Sequence, residues 1–129
     1  MTEKPPVIEP RRSGLLHMMD AARYSWAGLR RLLAESAARL ELVGGVVGAV
    51  LFAAVQAPLL HWAIFAALFC ALLAVEALNT AIEVVVNHLS PGWSQMAKEA
   101  KDLGSLAVGL MILANLIFVA AVVCLAVLG

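Results

Sequence analysis

The chain has 129 residues, of which 63% are hydrophobic and 14% charged. A water-soluble domain is nearer to half apolar and a quarter charged, so this composition excludes an ordinary soluble protein and predicts one membrane domain. Nine basic and nine acidic residues cancel, and the net charge therefore says little about partners. The two cysteines, Cys70 and Cys124, stand in apolar runs, where they are expected as small buried side chains rather than as a disulfide or metal ligands.

The N-terminal segment is basic and has no long apolar run. Residues 1–10 contain three prolines and mixed charges, and they are predicted to form a disordered tail. Residues 11–33 are predicted to form a basic amphipathic helix that lies on the membrane surface. Its apolar positions recur at threes and fours, and they are Leu15, Leu16, Met18, Met19, Ala22, Trp26, Leu29, Leu32 and Leu33.

The first membrane span is predicted at about residues 35–56. Its uncharged part, residues 42–52, is shorter than the roughly 20 residues that a span needs, so the helix must tilt or begin near the interface. Gly44, Gly45 and Gly48 form a small-residue patch, in which Gly44 and Gly48 have the GxxxG spacing that is typical of close packing between membrane helices.

The second span is predicted at about residues 59–87, after a tight turn at residues 56–58. This helix would be about 43 Å long, which exceeds a hydrocarbon core of about 30 Å, so its last turns should emerge from the membrane. At about 100° per residue, four polar residues of these turns fall within roughly 80° on one face. They are Glu76, Asn79, Glu83 and Asn87. Because charged groups are costly inside a bilayer, this stripe predicts a functional site.

The third span is predicted at about residues 104–128. A break at residues 90–92 precedes it, and the polar residues 94–103 are expected to resume the helix before it enters the membrane. Asn115 is the only strongly polar residue of this span and is expected to make an interhelical hydrogen bond.

The placement of the basic residues predicts the orientation. Six arginines precede residue 40, and Lys98 and Lys101 are the basic residues that follow it. The positive-inside rule therefore puts the N-terminus and the 88–103 loop in the cytoplasm and the C-terminus outside. The unusual acids then face the cytoplasm, where nucleotides are.

The residues gathered at this cytoplasmic rim are those that phosphoryl transfer uses. They are Glu35, Glu41, Glu76, Asn79, Glu83, Lys101 and Asp102. Carboxylate oxygens suit Mg²⁺, a lysine can hold a phosphate, and a carboxylate at the hydrocarbon edge suits a general base for an alcohol. The plainer alternative is that Glu83 and Asp102 only form ion pairs with Lys101 or an arginine.

Four segments carry a resemblance to a known family. VEALNTAIEVVVN and AKEAKDLGSLAV, with YSWAGLR and AESAARLEL upstream, resemble the small prokaryotic diacylglycerol kinases over about residues 15–128. The resemblance implies an all-α membrane protein of the bacterial cytoplasmic membrane, with a surface helix, three transmembrane helices and a homotrimeric assembly. It also implies an ATP-dependent, Mg²⁺-dependent lipid kinase that phosphorylates diacylglycerol to phosphatidic acid, with no nucleic-acid partner.

The resemblance further implies roles for individual residues. Glu76 matches the catalytic base, and Glu35 and Glu83 match carboxylates at the metal. The positions that match nucleotide contacts are Tyr24, Glu35, Asn79, Glu83, Gly92, Trp93, Ser94, Lys101 and Asp102. Those that match the lipid side are Ser25, Trp26, Arg39, Glu76 and Ser105.

The chain departs from the family pattern at several positions. Asn87 stands where an aspartate is usual, His17 where an arginine is common, and Ala38 where an aromatic residue is usual. The interval from Gly28 to Glu35 is one residue shorter than the pattern. None of these departures affects Glu76, Asn79, Glu83, Lys101 or Asp102.

Three spans are too few to enclose a site for both ATP and a lipid, which agrees with a homotrimer whose sites form between protomers. Two alternatives remain at this point. One is a polyprenol kinase that acts on undecaprenol, and the other is a non-catalytic membrane oligomer whose acids line an opening. The Lys101–Asp102 pair argues against the second, because a pore needs no phosphate-binding cation beside its carboxylates.

Overall fold

The computed structural model of this chain describes residue 10 and residues 13–129. Over these residues the fold is all-helical, as predicted, with α1 (Leu15–Leu32), α2 (Ser36–Ala54), α3 (Leu59–Leu89) and α4 (Gln95–Leu128). The predicted disordered tail, apart from its last residue, and the first two residues of the predicted surface helix lie outside the described part. The described residues divide into two compact units, one that ends at Arg31 and one that comprises Leu32–Gly129.

The first unit contains most of α1. This helix begins just after Gly14, which has a φ of +69° and whose carbonyl accepts a hydrogen bond from the Met18 amide at 3.2 Å. Large apolar side chains along it are exposed, including Leu15, Met18 and Trp26. The helix itself agrees with the predicted one, while its place on a membrane surface stays a prediction.

The second unit contains three helices that are long and apolar enough to cross a membrane, and they are α2, α3 and α4. Each coincides with a predicted span, and α4 also includes the polar segment that was expected to precede its span. In the most apolar window of each helix, no more than 22% of the residues are buried within the chain. Hydrocarbon or further protein must therefore cover the rest.

The best-packed part of this unit lies where α2 turns into α3. Phe52 is fully buried, and its ring centroid lies 5.0 Å from that of Phe65, 5.5 Å from that of Trp62 and 6.0 Å from that of Phe118. Such tilted and edge-on aromatic contacts add to the packing that holds membrane helices together. This aromatic cluster fixes the ends of the helices that lie far from the polar stripe.

Glycines of the predicted small-residue patch let α2 approach α3. A Cβ on Gly48 would lie 2.9 Å from the Phe65 ring, and a Cβ on Gly45 would come within 2.6 Å of Phe69, so both lie at a helix contact as expected. A Cβ on Gly44 would meet no described atom of this chain within 4 Å, and the close packing predicted for Gly44 stays a prediction.

Two further predictions concern single side chains. Asn115 Nδ2 on α4 donates to the Leu68 carbonyl on α3 at 3.2 Å, which confirms the interhelical hydrogen bond. Cys70 and Cys124 are free, as predicted, but both are exposed on the chain rather than buried. An apolar run alone therefore did not indicate burial of these side chains within the chain.

Candidate carboxylate cleft

A cleft of about 260 Å³ opens where the first turn of α2 meets the polar turns of α3 and the adjoining part of α4. We call it the carboxylate cleft. It exists because α3 continues for several turns beyond its apolar part and carries its polar stripe with it. The residues that line it are Glu35, Ser36, Ala37, Glu76, Asn79, Thr80, Glu83, Ser105 and Val108.

Glu76 is the most buried acid of this cleft. Its side chain is 4% exposed, and Thr80, one turn further along α3, is 8% exposed. Glu76 lies close enough to Glu83, Glu35 and Glu41 to interact with each of them electrostatically. Like charges at close range repel strongly away from water, so this grouping favours a bound cation or a proton.

Glu35 approaches the cleft from the N-terminus of α2. It occupies the position before the first helical residue, and its side chain makes no capping hydrogen bond to the helix. The first amides of a helix have no partner within the helix and carry partial positive charge. This end of α2 therefore stabilises negative charge in the cleft, from a carboxylate or from a phosphate.

Asn79 connects two sides of the cleft. Its Nδ2 donates to Glu83 Oε1 at 3.4 Å, one turn along α3. Its Oδ1 is buried, has no hydrogen-bond partner among the described residues, and faces Gly104 on α4. The amide thus lies between the carboxylate that it contacts and the neighbouring helix.

The segment before α4 is ordered by its own hydrogen bonds. Ser94 Oγ accepts from the Ala97 amide at 3.1 Å and lies 2.9 Å from Ser90 Oγ. Gly92 and Trp93 between these serines are exposed, and their contact with nucleotide stays a prediction. Within the described chain, none of these loop residues lines the carboxylate cleft.

Lys101 and Asp102 lie near the start of α4 and are exposed. Asp102 Oδ2 pairs with Lys98 Nζ at 2.5 Å, and not with Lys101. Neither Lys101 nor Asp102 lines the carboxylate cleft. None of the described residues that line the cleft is basic. One chain therefore brings together the predicted acids without the predicted phosphate-binding pair.

Of the residues predicted to lie on the lipid side or at the nucleotide, some line the carboxylate cleft and others do not. Ser105 lines the carboxylate cleft, beside Val108 of the next turn of α4. Arg39 on α2 is exposed and does not line it. Tyr24, Ser25 and Trp26 are exposed on α1, in the other compact unit, so their predicted roles stay predictions.

Two residues beside the cleft had no predicted role. Thr80 follows Glu76 by one helical turn, and that spacing was a usable signal for placing it on the polar face. Glu41 was noticed only as part of the rim, yet both of its carboxylate oxygens are buried and it interacts with Glu76. Its contact depends on how α2 rotates against α3, which the spacing of residues does not reveal.

A metal ion would not find a complete set of protein ligands here. Within residue 10 and residues 13–129, no three His, Cys, Asp or Glu side chains converge closely enough to hold one. Mg²⁺, however, usually takes one or two carboxylates and completes its shell with phosphate oxygens and water. The oxygen donors of Glu35 and Glu83 fit that partial role.

Comparison with known proteins gives a consistent result. The family profile described as prokaryotic diacylglycerol kinase matches residues 23–124. A protein named diacylglycerol kinase from Sinorhizobium sp is 42% identical over 113 residues, which cover 88% of this chain and 82% of that protein. The diacylglycerol kinase of Escherichia coli strain K12 is 31% identical over 106 residues, covering 81% and 87%.

Proposed function

The chain belongs to the prokaryotic diacylglycerol kinase family, and we infer from this that it transfers the γ-phosphoryl group of ATP to the free hydroxyl of diacylglycerol. The products are phosphatidic acid and ADP. The observation that supports this most directly is the buried Glu76 in a carboxylate cleft at the polar end of three apolar helices. There a lipid hydroxyl and a water-soluble phosphate donor can meet.

In this mechanism Glu76 is the general base. The lipid oxygen attacks the γ-phosphorus of ATP, the bond to the leaving ADP oxygen breaks, and Glu76 accepts the hydroxyl proton. Burial excludes competing water from this carboxylate, and Ser105, which lines the same cleft, would orient the lipid headgroup. We assign Arg39, Ser25 and Trp26 to the lipid side on the family resemblance alone.

The remaining acids of the cleft are assigned to Mg²⁺ and the nucleotide. Glu35 and Glu83 would supply its carboxylate ligands, and Asn79 orients Glu83 through the hydrogen bond between them. When bound, Mg²⁺ neutralises charge on the transferring phosphates. The amides at the N-terminus of α2 lie on the same side of the cleft as Glu35 and favour an anionic ligand there.

We propose that the active unit is a homotrimer with each site shared between protomers. Among the residues that the structure describes, none that lines the carboxylate cleft is basic, while Lys101 and Asp102 are exposed outside it. A neighbouring protomer can bring its Lys101, Asp102 and 92–94 loop to face this cleft. Association would also cover apolar and carboxylate surface that a single chain leaves exposed.

We place this kinase in the bacterial cytoplasmic membrane, with the carboxylate cleft on the cytoplasmic side. The basic residues of the N-terminal segment and of the 88–103 loop support this orientation through the positive-inside rule. The surface helix α1 would then rest on the cytoplasmic leaflet. The C-terminus would lie outside.

The function is tested by phosphate transfer from labelled ATP in mixed micelles that offer diacylglycerol and undecaprenol separately, with and without Mg²⁺. We expect Mg²⁺-dependent phosphatidic acid from the wild-type protein. Phosphorylated undecaprenol with no phosphatidic acid would move the substrate assignment to polyprenols. An intact oligomer that phosphorylates neither lipid would contradict the kinase assignment.

The role of Glu83 makes a separate prediction. Glu83→Gln should raise the Mg²⁺ concentration for half-maximal velocity by roughly tenfold or more, because a neutral amide is a poorer Mg²⁺ ligand than a carboxylate. The measurement is initial velocity against free Mg²⁺ at saturating ATP. Glu99→Gln is the control, since Glu99 is an exposed carboxylate on α4 that accepts a hydrogen bond from Gln95 Nε2 at 2.8 Å and does not line the cleft. An unchanged Mg²⁺ requirement in Glu83→Gln would rule out the ligand role.

A further inference from the structure

Gly104 on α4 packs against Asn79, a residue of the carboxylate cleft, and has no role in the proposed mechanism. We propose that Gly104 is a positioning residue: because it has no side chain, the Asn79 amide can lie against α4 and orient Glu83. The packing part of this proposal stands on its own. Its effect on turnover rests on the proposed function.

The contact is confined to one pair of residues. Gly104 is buried, and a Cβ added to it would overlap Asn79 Oδ1 and lie 3.2 Å from Asn79 Cγ. The three atoms nearest to that Cβ all belong to Asn79. The helical backbone would accept alanine at this position, so the Asn79 side chain is what excludes it.

The orientation of the Asn79 amide follows from its two neighbours. A carboxylate only accepts hydrogen bonds, so the amide must turn Nδ2 toward Glu83, and Oδ1 then faces α4. Oδ1 has no hydrogen-bond partner among the described residues. Packing against the bare backbone of Gly104 is therefore what limits the amide on that side.

A methyl group at position 104 would disturb this arrangement in one of two ways. Asn79 would rotate about its short side chain, or α4 would retreat from α3. The rotation takes Nδ2 away from Glu83, whose hydrogen bond of 3.4 Å is already long. The retreat removes the backbone that limits the amide on the side of α4, so that Nδ2 is no longer held toward Glu83. A displacement of about 1 Å in a reacting geometry can lower a rate by roughly 10²-fold.

The first experiment compares Gly104→Ala with Gly109→Ala. Both glycines lie on α4, but a Cβ on Gly109 would meet no atom within 4 Å. We expect Gly104→Ala to lower kcat by about ten- to a hundredfold, to raise the Mg²⁺ requirement as Glu83→Gln does, and to lower the Tm in detergent. Gly109→Ala should keep kcat within about twofold and show an equal or higher Tm, because alanine favours a helix over glycine.

The second experiment asks whether the effect passes through Asn79. In the double variant Asn79→Ala/Gly104→Ala the obstructing amide is gone, so the added methyl fits. We expect the Tm of the double variant to return to that of Asn79→Ala alone, and its kcat to be no lower than that of Asn79→Ala. Losses of Tm and kcat that simply add would mean that Gly104 acts independently of Asn79, and would overturn the proposal.

The two readouts separate this inference from the proposed function. If the wild-type protein showed no kinase activity, the Tm values of the two single variants and the double variant would still test the contact between Gly104 and Asn79. If the protein is an active kinase and Gly104→Ala keeps wild-type kcat and Mg²⁺ requirement, the positioning role is wrong whatever the Tm shows.

Discussion

Glu76→Gln should lower kcat by about 10²–10⁴-fold while the affinity for Mg²⁺-ATP remains measurable. Glutamine has nearly the volume of glutamate and fits the same buried position, where the native side chain is 4% exposed. It cannot accept the proton of the lipid hydroxyl, so the loss should fall on the chemical step. The measurements are kcat from phosphatidic acid formation and nucleotide affinity from a binding assay on the purified oligomer.

The stability of this variant provides an internal check. Glu76 interacts with Glu83 and Glu35, so removing its charge relieves repulsion between like charges. The Tm of Glu76→Gln should therefore equal or exceed that of the wild type. A fall in activity together with a fall in Tm would indicate damage to the fold. Glu76→Asp, which keeps a carboxylate, should retain more activity than Glu76→Gln.

Two outcomes would count against the base assignment. Turnover of Glu76→Gln within about twofold of the wild type would remove Glu76 as the group that accepts the proton. Glu99→Gln, which changes an exposed carboxylate on α4, should leave turnover unaffected. If that control lost as much activity as Glu76→Gln, the loss would reflect overall charge and not the chemistry of the cleft.

The course of the helices was predictable from sequence because a membrane imposes a length. Apolar runs that must cross about 30 Å of hydrocarbon define spans whatever they pack against, and α2, α3 and α4 appear where such runs occur. The stripe of Glu76, Asn79, Glu83 and Asn87 was predictable for a related reason. Its members share one helix, so helical periodicity alone places them on one face. The first three line the carboxylate cleft, whereas Asn87 is exposed beyond it.

Contacts between helices were less accessible to sequence reasoning. The small-residue patch predicted helix contacts for Gly44, Gly45 and Gly48 alike, and within the described chain Gly45 and Gly48 make them, with Phe69 and Phe65. Neighbouring residues differ by about 100° around a helix, so the rotation of α2 about its axis decides which of these glycines faces α3. The spacing of the glycines in the sequence does not determine that rotation. The closeness of Gly104 to Asn79 and of Glu41 to Glu76 depends on the same kind of rotation.

The two residues that were predicted to bind phosphate illustrate a different limit. Lys101 and Asp102 were expected beside the acids, because both groups belong to the same membrane side. In one chain the acids line the carboxylate cleft, and Lys101 and Asp102 are exposed outside it. Which protomer supplies them is a property of the assembly, and this makes the shared site open to a direct test.

Mixing two inactive variants should restore activity if the sites are shared. Glu76→Gln removes the base, and Lys101→Met removes the phosphate-binding cation, so each homo-oligomer should be nearly inactive. In random mixed trimers, a site works when a Lys101→Met protomer supplies the cleft and a Glu76→Gln protomer supplies the lysine. When the two variants are mixed in equal amounts, about half of the sites have an intact cleft, and about half of those face a protomer with an intact Lys101. We therefore expect about a quarter of wild-type activity after subunit exchange.

The control mixes Glu76→Gln with Asn79→Ala. Both residues lie on α3 and line the same cleft, so no exchange of protomers can assemble an intact site, and activity should stay at the level of the separate variants. Recovery in the first mixture but not in the second would establish that the cleft and Lys101 act across a protomer boundary. Absence of recovery in verified mixed trimers would mean that each chain completes its own site, with the start of α4 moving toward the cleft when nucleotide binds.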